Sequence, residues 1–429
     1  MAIVRGLAAA LAVVFAVSLA SSTGCNDDET VNPLTSASSS GGAGGASTTG
    51  PTGSGGATSA GGAGGTISAA GGGGAGGAAC LGAALYADLF SIADDALCAT
   101  ALYEGDGAFD FHTTAIAFGA QGGPVILEPS TTSGSVDVSR YAPTPGQPKG
   151  SFTVATHTVA AQIPHGAFLG PQALDLGFFG WTAIGYSGAF PDTAGEVVLL
   201  AGDAVAARYP VNGPFAFGAV VDDADRGRLL YTGLSKLDDA AADVNGLYAA
   251  DSCGTSTSSP SLEPDGSGAC PPPTEVSAWG DASGPVAVDA LGDAFAVMAS
   301  FTGDQEARGF AHAAIARGEP PTDGTTMFTM PGFGSALAAI APTPVDDGIL
   351  AFQPSDGTTF QALDVVGQRY HLASGALATS GTPAPLLHFA AADTAVSMAT
   401  DSSSRLWVAA TRGSGPTAKL VFVVIARKP

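Results

Sequence analysis

The chain has 429 residues, with 38 acidic and 15 basic side chains and a formal net charge of −23 at pH 7. That balance argues against a nucleic-acid partner, because phosphate backbones are gripped by clusters of Lys and Arg. The four lysines, Lys149, Lys236, Lys419 and Lys428, are scattered and form no basic stripe. Charged residues make up only 12% of the chain while Ala, Gly, Val and Thr abound, a composition suited to closely packed sheets.

Arg5 begins a short leader in which Gly6 to Ala20 is an apolar run of Leu, Ala, Val and Phe. A bilayer span needs roughly 20 apolar residues, so the run reads as a signal peptide over residues 1–24. Two cleavage readings compete. Ser18-Leu19-Ala20 has the small residues of an ordinary signal-peptidase site and would release a secreted product. Ser22-Thr23-Gly24-Cys25 resembles a bacterial lipobox, with Ser22 where that pattern usually has an aliphatic residue. The resemblance implies acylation of Cys25 and attachment to a membrane through that lipid. Cysteine count favours the second reading. The chain has five, at 25, 80, 98, 253 and 270, and a lone thiol is unusual in an oxidising compartment. Lipidating Cys25 leaves four that can pair.

Residues 25–79 are polar and then dominated by Gly, Ser, Thr and Ala, as in Ser40–Gly45 and Gly71–Gly74. Such sequence cannot offset its ordering entropy, so it predicts a disordered tether. Some 50 residues of flexible coil reach about 40 Å, enough to hold a domain clear of a lipid surface.

Beyond the tether, pairs of apolar segments recur, broken by Asp- or Gly-bearing turns. The clearest are Pro285–Asp289 with Ala294–Phe301, Ala395–Asp401 with Arg405–Thr411, and Gly218–Asp222 with Arg228–Thr232. Weaker copies are Thr114–Phe118 with Pro124–Leu127 and Leu337–Ala341 with Gly348–Phe352, and the faintest lies between Ala173 and Ser187. Strand, Asp-bearing turn and strand in that order predict tight hairpins. Further strands are expected at Phe310–Arg317 and Val421–Arg427, both ending in Ile-Ala-Arg. Three- or four-stranded units recurring every 40–50 residues or so are the sequence sign of a β-propeller. Over residues 105–429 the chain resembles bacterial secreted β-propellers through this hairpin rhythm, without a Trp-Asp or kelch signature. The expected fold is all-β, a propeller of six blades, or seven should residues 81–104 contribute strands or help close the ring. A pair of β-sandwiches is the rival, since short alternating strands suit both.

Cys80 and Cys98 bracket a small element, residues 80–104, and a straight helix between them would hold them roughly 27 Å apart. A bond there predicts a bent segment. Cys253 and Cys270 flank a loop rich in Ser, Thr, Pro and Gly, where a staple closing about 15 residues is worth roughly 3 kcal/mol in the chain-entropy model. Bridges 80–98 and 253–270 are the favoured pairing.

A search for chemistry returns little. The histidines, at 112, 157, 165, 312, 371 and 388, form no zinc motif. His312 is expected inside a strand. Gly185–Gly188 and Gly332–Ser335 fall short of the serine-hydrolase elbow and read as turns or loops. Asp222–Gly227 lacks the late bidentate Glu of a calcium loop and reads as a hairpin turn. No catalytic residue, metal ligand or cofactor is expected. The resulting reading is an exported, lipid-anchored envelope protein at the outer membrane or cell surface. It is expected to act as a monomeric, non-enzymatic module for a glycan or protein ligand; a propeller-fold enzyme acting on extracellular glycans or related polymers is the alternative.

Overall fold

A computed structural model describes residues 79–429 apart from 110–114, 119–122, 133, 145, 147, 161–168, 177–180, 188–193, 203, 213–215, 222–226, 235–244, 252–273, 279–281, 300–303, 317, 332–333, 357–358 and 360. Cys25, the leader, the tether, the Cys253–Cys270 loop and Asp222–Asp225 lie outside the described residues.

The described chain opens with β1 (Phe90–Ile92) and β2 (Leu97–Asp106) and then builds successive antiparallel sheets. Blade 1 comprises β3 (Ala115–Phe118), β4 (Pro124–Pro129), β5 (Ser135–Thr144) and β6 (Gly150–Ala160). Blade 2 has β7 (Leu169–Leu176), β8 (Trp181–Ser187), β9 (Ala194–Ala201) and β10 (Ala204–Asn212). Blade 3 has β11 (Ala216–Val221), β12 (Gly227–Leu234), β13 (Asn245–Asp251) and β14 (Thr274–Ala278). Blade 4 has β15 (Ala282–Val288), β16 (Ala294–Ala299), β17 (Asp304–Phe310) and β18 (Thr325–Pro331). Blade 5 has β19 (Gly334–Ile340), β20 (Gly348–Pro354), β21 (Val365–Ala373) and β22 (Ala376–Phe389), with β1 added outside β22. Blade 6 has β23 (Ser397–Thr400), β24 (Leu406–Arg412) and β25 (Lys419–Arg427), and takes β2 as its fourth strand.

The first strands of the blades neighbour one another in the cyclic order β3, β7, β11, β15, β19, β23 and back to β3. This closed ring of six four-stranded sheets is a six-bladed β-propeller. The six hairpins legible in the sequence are the two innermost strands of the six blades. Residues 81–104 contribute strands and help close the ring, with β2 completing the sixth blade, so no seventh blade is added.

Propeller blades are buried on both faces, and the period-2 alternation of a strand divides each central strand between two seams. Leu406, Val408 and Ala410 of β24 face the core shared with blade 5, whereas Trp407 and Ala409 face blade 1. Phe295 and Val297 of β16 pack towards blade 5, and Ala294 and Ala296 towards blade 3. Strands therefore read as unbroken apolar runs, as in Leu420–Ile425, where every residue is buried. An aromatic cluster fills the seam that closes the ring: Tyr103 stacks on Trp407 at 5.7 Å, and Tyr141 and Phe152 meet Phe422 edge-on at 5.4 and 5.3 Å. Gly150 permits that closure, since a Cβ there would lie 2.8 Å from the Tyr103 ring.

Cys80 and Cys98 are bonded, with Cα atoms 5.6 Å apart. The bend between them is a 3-10 turn at Ala83–Leu85 followed by the short β1. Two local expectations are corrected. The strand expected at Phe310–Arg317 ends at Phe310, and His312–Ile315 forms a 3-10 turn. The His312 backbone N–H is drawn off the ladder by Asp293 Oδ1 at 2.8 Å. Its resemblance to β25 through Ile-Ala-Arg is thus not structural. Gly185–Ser187 lies within β8 and Gly334-Ser335 opens β19, so these parts of the two glycine segments are strand and not turn, while Gly188, Gly332 and Phe333 lie outside the described residues.

Candidate functional site

Two neighbouring blades carry prominent turns between their first and second strands. In blade 4 the turn Asp289–Asp293 is organised by its first residue. Asp289 Oδ1 accepts the N–H groups of Leu291 at 2.8 Å and Asp293 at 3.0 Å, and the Tyr370 hydroxyl donates to Oδ2 at 2.7 Å. Tyr370 belongs to blade 5, so this contact also clasps the two blades. Burial, with the neighbouring Asp293 carboxylate, pushes the Asp289 carboxyl up to about 6, against the hydrogen bonds from Tyr370, Leu291 and Asp293, which pull it down. Burial likewise pushes Asp293 up. The turn projects Leu291 outward.

In blade 5 the turn Pro342–Asp347 joins β19 to β20. Its prolines restrict the backbone, and Thr343 and Asp346 close it through Thr343 N–H to Asp346 O at 2.9 Å. Arg427, at the end of β25, donates to the carbonyls of Ala341, at 3.1 Å, and Asp347, and its Nη1 lies 3.6 Å from Asp346 Oδ2. Burial lowers the Arg427 pKa. Held this way, the turn presents Val345 with 88% of its surface exposed.

Between the two turns and the end of β21 lies an open groove of about 600 Å³. Leu291, Val345 and Leu372 rim it, and they are three of the six most exposed large apolar side chains among the described residues. Gathering them around one concavity is the pattern of an interaction site, whereas scattered exposed apolar residues are ordinary. His371 supplies a polar wall. Its Nδ1 shares a hydrogen bond with Ser380 Oγ at 2.9 Å and lies 3.9 Å from Asp347 Oδ1. The groove can therefore hold aliphatic side chains beside a ledge of two carboxylates.

A larger groove, about 730 Å³, lies where β2 meets β6. Its charges already satisfy one another, Lys149 with Glu104 at 2.6 Å and Lys419 with Asp106. At the rim of blade 5, His388 Nδ1 lies 2.8 Å from Asp364 Oδ2, and strand register sets Ser91 opposite His388. Ser91 is exposed and the His388 and Asp364 side chains are about half exposed, which leaves them short of the desolvated setting that makes charge stabilisation effective. Among the described residues no three His, Cys, Asp or Glu side chains converge to hold a metal. The six innermost strands contain a single charged residue, Asp175.

Of the residues singled out in the sequence, Cys80 and Cys98 come together on the N-terminal element. His112, His165, Cys25, Cys253 and Cys270 lie outside the described residues. His157 is in β6 and His312 in the blade 4 turn region; only His371 reaches the groove. Sequence reasoning missed Leu291, Val345 and Leu372. The one local sign was an aliphatic residue at the tip of a Pro-Thr-Pro-Val-Asp-Asp turn.

No family model matches the chain, and no curated protein matches it by sequence. Among solved structures it is similar to the PQQ-bound form of aldose sugar dehydrogenase from Streptomyces coelicolor, at 12% identity and a TM-score of 0.41, covering 75% of this chain and 98% of that one. It is similar to a mutant of AofleA from Arthrobotrys oligospora, at 12% identity and a TM-score of 0.42, covering 76% and 87%. A third is Trypanosoma rangeli sialidase in complex with the inhibitor DANA, at 8% identity and a TM-score of 0.40, covering 76% and 57%. The propeller assignment stands on the strand order and the closed ring of inner strands.

Proposed function

We propose that the protein is an exported binding module, anchored to the cell envelope through lipid on Cys25, and that the groove of blades 4 and 5 docks an extended protein segment. The observation that carries this reading is the convergence of exposed Leu291, Val345 and Leu372 on one concavity. Asp346 and Asp347 beside them, in a chain of net charge −23, suit a segment with an aliphatic residue next to Lys or Arg. Catalysis at the propeller axis is the weaker reading, since the six innermost strands contain one acidic residue, Asp175, and no histidine in their sequences.

Peptide-library selection against the full chain, with Val345→Asp/Leu372→Asp as the counter-target, tests the groove. Enriched peptides are expected to pair an aliphatic residue with a basic one and to bind the double variant at least about tenfold more weakly, or 1.4 kcal/mol. Glycan-array hits indifferent to the double variant, with no peptide enriched, would overturn the groove reading. The anchor is tested separately by fatty-acid labelling in cells. Label is expected on the wild-type chain and absent from Cys25→Ala, and equal labelling of both removes the lipid anchor.

A further inference from the structure

Past the start of β20 the outer half of blade 5 continues as a hairpin with no third strand paired to it on that side. β20 pairs with β21 from Phe352 opposite Val366 to Gly348 opposite Tyr370 and stops there. β21 and β22 go on pairing as far as Ala373 and Ala376, joined by the two-residue turn Ser374-Gly375. An isolated two-stranded hairpin is marginally stable in water, so this tip, residues 371–380, depends on what it rests against. It leans on the neighbouring blade, where β22 approaches β17 and β18.

One side chain makes that contact in depth. Leu377 is 3% exposed and shares a core with Met327 and Phe328 of β18, whereas every other residue from His371 to Ser380 is half-buried or exposed. Gly309 of β17 leaves the room, since a Cβ there would lie 2.9 Å from Leu377 Cδ1 and 2.7 Å from Met327 Cε. At its base the hairpin is set off from the blade by a break in register. Gly367 faces Ala384 but Arg369 faces Ser380, so residues 381–383 bulge opposite Gln368 alone. The buried Gln368 amide bridges the break, donating to Ser380 O at 3.3 Å and Gly381 O at 3.4 Å. A segment with a bulge at one end and a single buried anchor near the other has the few apolar contacts that mark a unit able to open apart from the rest of the fold.

We propose that residues 371–380 form a strap that opens from blade 4 as a unit, hinged at the 381–383 bulge and latched by Leu377. The strap carries His371, Leu372 and Ser380, which line the groove of blades 4 and 5, so its opening takes away one wall and its closure restores it. Its base stays fixed, because the Tyr370 hydroxyl is tied to Asp289 across the blades at 2.7 Å. Towards the facing turn its hold is loose, with His371 Nδ1 3.9 Å from Asp347 Oδ1, beyond hydrogen-bonding distance. The purpose of the strap rests on the docking role of the groove, whereas the motion belongs to the chain alone. A segment docked against Leu372 binds the closed strap and so shifts the population towards it.

Methionine oxidation of the full chain reads the motion without a ligand. Met327, beside Leu377, is 3% exposed, and Met398, in the core shared by blades 5 and 6, is 5% exposed, so a rigid fold would oxidise the two alike. Under hydrogen peroxide followed by peptide mapping, Met327 is expected to oxidise at least about tenfold faster than Met398. Hydrogen exchange gives the second readout. Amides of residues 371–380 are expected to exchange at least about tenfold faster than those of β20, and Leu377→Ala to speed them about tenfold more while β20 is unchanged. Leu377→Met, which refills the seat, is expected to keep the parent rates. Met327 oxidising no faster than Met398, or a Leu377→Ala effect spread equally over β19 and β20, overturns the strap and leaves the groove a rigid dock. If peptide selection fails while both readouts come out as expected, the strap stands and the docking role falls.

Discussion

Asp289→Asn is expected to make the protein more stable at pH 7.5 and to flatten its stability between pH 4 and 7. Tyr370 has one hydroxyl proton and two acceptors within reach, Asp289 Oδ2 at 2.7 Å and Ile340 O at 3.1 Å. Burial, and not this hydrogen bond, raises the Asp289 pKa; once the carboxyl is protonated, its O–H can donate to the tyrosine oxygen while the tyrosine proton turns to Ile340 O. With the carboxyl at about 6 against 3.8 for the free group, folding takes up a proton across that window. The sign follows. A carboxyl raised on folding contributes stability in full below its unfolded pKa, and the contribution is lost as pH rises through about 6. Two units correspond to roughly 3 kcal/mol, an upper figure for a site only 5% exposed. Glu128, raised to about 7 by burial and then by Asp137 opposite it on β5, acts in the same direction. Asp364 is held low against its partial burial by His388 and the Phe389 N–H, and its contribution is lost as pH falls below about 4. The melting temperature is therefore expected to peak near pH 4–5 and decline towards neutrality. In Asp289→Asn the amide oxygen keeps the Leu291 and Asp293 N–H groups and the amide N–H serves the tyrosine oxygen. Thermal melts should show the variant about 1–2 kcal/mol above the parent at pH 7.5 and level with it near pH 4. An unchanged slope between pH 4 and 7 would refute the protonated clasp.

The inner halves of the blades were legible because their strands are buried on both faces and their turns need Asp or Gly chemistry. Pro285–Phe301 and Ala395–Thr411 announce themselves by both features. The outer strands are harder to read, since β6 and β18 are rich in Thr and sit at the rim, where burial imposes less pattern. Ring closure by β2 rests on Tyr103 meeting Trp407, residues 304 apart in the chain, which no local signal records. The Phe310–Arg317 segment misled because its Ala and Ile content suits a strand, and only Asp293, across the blade, decides otherwise. The groove was hidden for a related reason. Leu291, Val345 and Leu372 come from three segments, and each alone reads as an ordinary turn or strand-end residue.

Asp401 carries the other large effect, and its contrast with Asp289 is the sharper test. The two turns share one geometry, with Asp401 Oδ1 accepting the N–H groups of Ser403 at 2.9 Å and Arg405 at 3.0 Å. Their second carboxylate oxygens face opposite chemistry. Oδ2 of Asp401 accepts from Trp407 Nε1 at 2.9 Å and from Arg405 Nε at 2.8 Å. Indole and guanidinium only donate, whereas a tyrosine hydroxyl also accepts. An asparagine amide at 401 can satisfy its turn N–H groups or its indole and guanidinium, but not both. Trp407 is 2% exposed and stacked on Tyr103, so weakening its bond to Oδ2 disturbs a buried contact at the seam that closes the ring. Asp401→Asn is expected to cost roughly 2–4 kcal/mol, and Asp401→Ala roughly 3–5 kcal/mol. Urea unfolding should show the Asp401→Asn loss at pH 5 and pH 7.5 alike, while Asp289→Asn costs nothing at either. Equal responses at the two positions would mean that the turn alone, and not the group facing its second oxygen, sets the need for a carboxylate.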